Sequence, residues 1–151
     1  MTAPFQDGLP HAEPVFEIEA ICSAPEEMGE IDGGKARMIP ITGGRVFGPR
    51  LSGTVMPGGA DWSIMRPGGI ATVEARYALR ADDGTIIQIF NGATTRVGQP
   101  RADGIMMITT PRFIAPAGPH DWLNHGVYVG TLRPDMTPGA FKVMIGVFRM
   151  G

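Results

Sequence analysis

Residues 69–93 read GIATVEARYALRADDGTIIQIFNGA. Ala71, Val73, Ala75, Tyr77 and Leu79 fall on one side of a two-residue alternation, with Ile70, Thr72, Glu74, Arg76 and Ala78 on the other. That is the pattern of a strand with one buried face. Beyond Asp82-Asp83-Gly84, Ile86, Gln88 and Phe90 alternate with Thr85, Ile87, Ile89 and Asn91. Glycine reaches positive φ at no steric cost, so the break reads as a tight hairpin.

The same grammar extends outward in both directions. Short β-rich runs at 14–22, 37–42, 46–55, 60–65, 104–113, 126–133 and 140–150 join the two above, separated by Gly, Pro and Asp. No window carries an apolar period of 3.6, and the best helical candidate, SAPEEMGE at 23–30, is too short for more than a turn. An uncovered sheet of this many strands must curl on itself. The expectation is an all-β fold, a single closed antiparallel β-barrel of eight to ten strands. Gly48, Gly53, Gly92, Gly130 and Gly146 inside runs supply bends, and a sandwich is the other solution. Residues 1–13 read as a polar tail and 14–151 as the single barrel domain.

Composition narrows the function classes. The chain has 151 residues, 43% of them hydrophobic, enough for one core despite 22 Gly and 14 Pro. Its formal net charge is −2, and no segment clusters Lys and Arg as a nucleic-acid or anionic-membrane surface requires. No run approaches the roughly 18 apolar residues of a spanning helix. The start MTAPFQDGLPHAEP lacks the basic and apolar regions of a signal peptide. The single cysteine, Cys22, excludes an internal disulfide and fits a reducing, cytoplasmic setting.

The densest stretch is GGRVFGPRLSGTVMPGGADW at 43–62, where Gly43-Gly44 and Gly58-Gly59 read as turns at either end of a strand. Asp61-Trp62 follows the second. A ring beside a carboxylate desolvates it and raises its pKa, which suits general acid/base work. The competing role for Asp61 is capping the Gly-Gly turn. This stretch, with VEARYALRADDGTIIQIFNGA and DWLNHGVYVGT, resembles the domain-of-unknown-function 3237 family of bacteria and fungi, over residues 14–149. The resemblance implies a calycin-like, lipocalin-resembling barrel and leaves function to the residues. Relatives often carry an aromatic before the WLN of 122–124, where this chain has Asp121, with His120 and His125 nearby.

Other side chains extend the candidate site. Arg76 could hold an oxyanion beside Glu74 and Thr72, or that row could be a solvated face with a cross-strand ion pair. Tyr77 falls on the lining face, as a stabiliser of developing charge or as a core tyrosine bonded to backbone. Asn91 either orients a carbonyl or takes a turn. The irregular segment PRFIAPAGPHDWLNH at 111–125 suits a lid, with Phe113 and Trp122 joining Trp62 as aromatic wall. There Asn124 would orient the polar end, and His120 is either a base or an exposed loop histidine.

No metal is expected, since H-D-x-x-x-H lacks further ligands, and no cofactor, since nucleotide and flavin fingerprints are absent. The function expected is a cofactor-independent lyase, hydratase or isomerase that transfers a proton on a small hydrophobic or aromatic molecule. The alternative is a binding barrel without chemistry. A filled barrel acting as a partner module would have no cavity at all. Run 140–150 is apolar on both faces, with Val143, Ile145 and Val147 against Met144, Phe148 and Met150. That predicts a homodimer or higher homo-oligomer. Sedimentation at micromolar concentration should return a dimer or larger species, and a monomer would count against it.

Overall fold

The computed structural model describes residues 4–99 and 101–151. After a single helical turn, Pro4–Asp7, every long element is a strand. They are β1 (Ala12–Cys22), β2 (Glu26–Ile31), β3 (Gly34–Phe47), β4 (Gly53–Val55), β5 (Gly59–Arg66) and β6 (Ile70–Ala81). Then come β7 (Ile86–Arg96), β8 (Met107–Thr109), β9 (Arg112–Ile114), β10 (Val127–Pro134) and β11 (Lys142–Met150). Short 3-10 turns occupy Pro67–Gly69 and Asp121–Asn124. The strands form one sheet in the order β8-β10-β11-β1-β3-β4-β6-β7-β9, with β2 on β3 and β5 between β3 and β6. Every pairing is antiparallel.

The fold is thus all-β with eleven strands, one more than the upper end of the expected range. Two local causes account for the excess. The stretch expected as a helical turn instead forms β2, because Asp32 (φ 51°) and Gly33 (φ 75°) make the consecutive positive-φ pair of a two-residue hairpin into β3. Run 104–113 divides into β8 and β9 at Thr110-Pro111, where proline has no N–H for a ladder.

Gly43-Gly44 is not a turn either. It lies inside the 14-residue β3, whose first half pairs with β2 and β5 and whose second half pairs with β1 and β4. Gly44 has φ 136°, and a Cβ there would run into the Glu19 carbonyl of β1. This close approach lets one strand serve two sets of neighbours. Gly58, at φ 104°, does turn the chain from β4 into β5. The 82–84 hairpin stands as read, with Ala81 N–H donating to the Thr85 carbonyl (2.8 Å) and Gly84 at φ 90°.

One face of the sheet holds the core. Phe16, Ile18, Leu51, Val55, Tyr77, Leu79, Ile87, Ile89, Phe113, Leu123, Tyr128, Ile145 and Val147 are all buried in it. Edge-to-face rings link Phe16 to Phe113 (5.7 Å between centroids) and Phe113 to Tyr128 (5.3 Å). The 115–126 segment plugs this end beside the 82–84 hairpin. Leu123 is buried, and the Asn124 side chain braces Ala115 by accepting from its N–H and donating to its carbonyl, both at 2.8 Å. Asn124→Ala leaves both Ala115 groups without these partners and should cost about 1–3 kcal/mol. Chemical denaturation should read that loss, and an unchanged midpoint would show that the brace is idle.

Candidate functional site

Strand register assembles the site. Ile39 of β3, Asp61 of β5, Ala75 of β6 and Asn91 of β7 are successive cross-strand partners on the core-facing side. Tyr77 stands two residues along β6 from Ala75 on the same face. A small side chain is therefore bordered by a carboxyl, an amide and a phenol. Toward the 82–84 hairpin the inner face is fully buried (Leu79, Ile87), whereas Arg37, Ile39, Asp61, Val73 and Ala93 at the other end are half-buried. Of the three polar groups Asp61 is half-buried, beside these residues, and Tyr77 and Asn91 are buried.

Their electrostatics are distinct. Pairing of β5 with β6 is interrupted between Asp61–Ala75 and Ile64–Thr72, and there Asp61 Oδ1 accepts the Glu74 backbone N–H at 3.1 Å. Desolvation pushes the Asp61 carboxyl up. The Glu74 N–H and the Arg37 charge pull it down, and the Glu74 carboxylate adds a smaller push upward. Burial also drives the Tyr77 phenol far above its usual range, with smaller contributions from Cys22 and Asp61. Tyr77 Oη, Asn91 Oδ1 and Thr109 Oγ1 are buried without a hydrogen-bond partner among the described residues. Such groups cost about 1–3 kcal/mol each when left unsatisfied.

The other expected residues lie elsewhere. Trp62, Glu74 and Arg76 point to the outer face of the same strands, where they line a groove of about 570 Å³ with Thr72, Phe90, Gly92, Thr94, Thr110 and Arg112. Alternation turns Asn91 inward, so it contributes main chain to that floor. Phe113, His120, Trp122 and Asn124 belong to the plugged end. His120 Nε2 pairs with Asp83 Oδ2 at 2.9 Å, pinning the plug to the hairpin. Arg50 stacks on Trp122 at 4.0 Å from the ring centroid.

The segment 111–125, expected as a lid, is thus docked on the core, with His120 bonded to Asp83, Asn124 bonded to Ala115 and Arg112 turned to the outer groove. Among the described residues no group of three or more His, Cys, Asp or Glu is arranged to hold a metal ion. The sequence reading missed Phe90 and Arg112 as groove residues and Thr109 as an inner-face hydroxyl. An inward Phe113 already implies an outward Arg112, but that this arginine faces Phe90 depends on the β7–β9 pairing.

Residues 10–150 match the family described as a protein of unknown function, DUF3237. The chain belongs to that family. A UPF0311 protein of Rhodopseudomonas palustris is 34% identical over 128 residues, covering 78% of this chain and 84% of the relative. The fold of this DUF3237 chain is similar to a β-barrel-like protein from Acinetobacter baumannii, with a TM-score of 0.80 and 28% identity. That match covers 95% of this chain and 97% of the other. A structure described as an enzyme from Penicillium herquei matches with a TM-score of 0.75 over 94% of this chain and 95% of its own, at 21% identity. This last likeness is one of fold.

Asp61 gives the DUF3237 chain a measurable signature. Its carboxyl carbon should titrate by NMR above the ordinary 3.8. An acid whose pKa rises on folding binds more protons folded than unfolded, so its contribution to stability declines as pH rises from the unfolded value through the folded one. Asp61→Asn should remove that decline. A midpoint at or below 3.8 contradicts the desolvated setting.

Proposed function

We propose that this chain is a closed, calycin-like barrel that admits a small apolar or aromatic molecule to the open half of its interior. There it transfers a proton on that molecule without a cofactor. The observation that carries this reading is the convergence of Asp61, Tyr77 and Asn91 around Ala75. It joins a carboxyl whose pKa burial raises to two buried polar groups unpartnered among the described residues. Asp61 would exchange the proton, the Tyr77 hydroxyl would donate to a developing oxyanion, and Asn91 Oδ1 would accept a hydrogen bond from a donor group of the guest. Closure is supported by the two ends of the strand path, β8 and β9, lying on one segment whose Thr110 N–H bonds the Gly92 carbonyl of β7 at 3.0 Å.

A second reading rests on the Asp61–Glu74 hydrogen bond. If that bond is the carboxylate's whole task, the barrel binds its guest without chemistry. Among the described residues no helix is long and apolar enough to cross a membrane. A cytoplasmic setting, suited to the lone Cys22, belongs to the proposal. So does self-association through the outer face of β11, where half-buried Met144, Phe148 and Met150 adjoin exposed Val127.

Proton transfer can be followed before the natural substrate is known. Incubating the protein in D₂O with a panel of aryl ketones should accelerate deuterium entry next to the carbonyl of at least one, followed by proton NMR. Asp61→Asn should lower that rate by about 10²–10⁴-fold. Exchange persisting in Asp61→Asn overturns the assignment. Saturable binding by the panel with no exchange selects the binding barrel.

A further inference from the structure

The outer groove lies on the opposite face of the β6–β7 ladder from Asp61. Arg76, Phe90 and Arg112 are consecutive cross-strand partners on β6, β7 and β9. The two guanidinium carbons lie 5.1 and 4.6 Å from the Phe90 ring centroid. A guanidinium stacked on a ring still presents its planar N–H edge outward. Neither arginine makes an ion pair or hydrogen bond among the described residues, although the chain is acidic overall. Two like charges held no more than about 10 Å apart on one ring form a fork for an anion.

The rest of the groove sets the shape and sign of its ligand. Trp62, 48% exposed, offers an apolar wall. Gly92 opposite Glu74 leaves the floor as bare backbone, and a Cβ there would run into the Val73 carbonyl. A flat body can therefore lie on that floor against Trp62, within a volume of about 570 Å³ that suits a small organic molecule. Glu74, with no ion-pair partner among the described residues, repels a second negative charge and accepts a hydrogen bond. Thr72 and Thr94 are engaged with each other at 2.9 Å.

We propose that the Arg76–Phe90–Arg112 fork and Trp62 bind an aromatic monocarboxylate, its carboxylate on the arginines and a hydroxyl-type donor toward Glu74. The site stands apart from proton transfer by Asp61, and either can fail alone. The probe is 4-hydroxyphenylacetate, added to ¹⁵N-labelled protein and to a calorimeter cell. The indole resonance of Trp62 should shift in a saturable way while that of Trp122, at the plugged end, stays fixed. 4-Hydroxyphenylacetamide, which has the same shape without the charge, should bind about tenfold or more weakly. Arg76→Gln and Arg112→Gln should each weaken the carboxylate by a similar factor with unchanged circular dichroism. Glu74→Gln should newly admit 4-carboxyphenylacetate.

The proposal is overturned if the amide binds as tightly as the acid, or if the Arg variants bind like the parent. It is equally overturned if Trp62 is silent at millimolar probe. Should an Arg variant misfold, high salt provides the same test on the parent protein. Carboxylate affinity should fall with salt while that of the amide holds, and salt-independent carboxylate binding overturns the fork.

Discussion

The eleven-pair ladder between β6 and β7, from Ile70–Arg96 to Arg80–Ile86, is the constraint on which the rest of the structure depends. Side chains alternate with period two, so a slip of one residue would exchange every inward group on the slipped strand for an outward one. A slip of β6 would turn Tyr77 out and Arg80 in, and a slip of β7 would turn Asn91 out and Phe90 in. The 82–84 hairpin holds the register through backbone bonds and the Asp83 carboxylate, which accepts the Thr85 N–H at 3.0 Å. Asp83 also bonds His120, so one residue ties the ladder to the plug that covers the core. Both hydrogen bonds favour the ionised form and hold its pKa below the usual value.

This register explains how much of the molecule could be read from sequence. The alternation of 69–93 is unusually regular, and its inner face carries the expected set of apolar residues plus Tyr77. Period-two logic requires only the strand itself, so face assignments within β6 and β7 were legible. The same alternation places adjacent Asp61 and Trp62 on opposite faces, so Trp62 is not the ring that desolvates the carboxyl. Asp32-Gly33 was not read as a turn, because Pro25-Glu26-Glu27 ahead of it has the composition of a helix start. The flanking residues of β2 are all exposed and lack apolar alternation, so nothing in them corrects that impression.

The parts that could not be read depend on long-range partners. Gly43-Gly44 has the composition of a turn, and only the approach of Glu19 from β1 makes it the bend of a continuous strand. Likewise, His120, Trp122 and Asn124 have the chemistry of a binding loop, yet Asp83, Arg50 and Ala115 absorb their polar and cationic contacts. Sequence shows which groups a side chain can offer and not which partners fold onto it. Arg76 and Arg112 are the converse case. Arg112 is an ordinary surface arginine by alternation and Arg76 a candidate anion holder, and it takes the three-strand register to stack both on Phe90.

Asp61 joins the two faces of this sheet. Its side chain belongs to the inner row, yet its Oδ1 takes the amide of Glu74, whose own side chain lines the outer groove. The bond sits where the β5–β6 ladder is interrupted, so a titratable group replaces a carbonyl as the acceptor at that point. Burial favours the neutral acid, whereas the amide and Arg37 favour the carboxylate, and burial is the larger influence. Because a neutral carboxyl is the weaker acceptor, proton uptake at Asp61 necessarily loosens its hold on the Glu74 backbone. By the same linkage, tightening that backbone favours the ionised carboxylate. Through this single hydrogen bond a titratable group of the inner face meets the backbone that carries an outer-groove side chain.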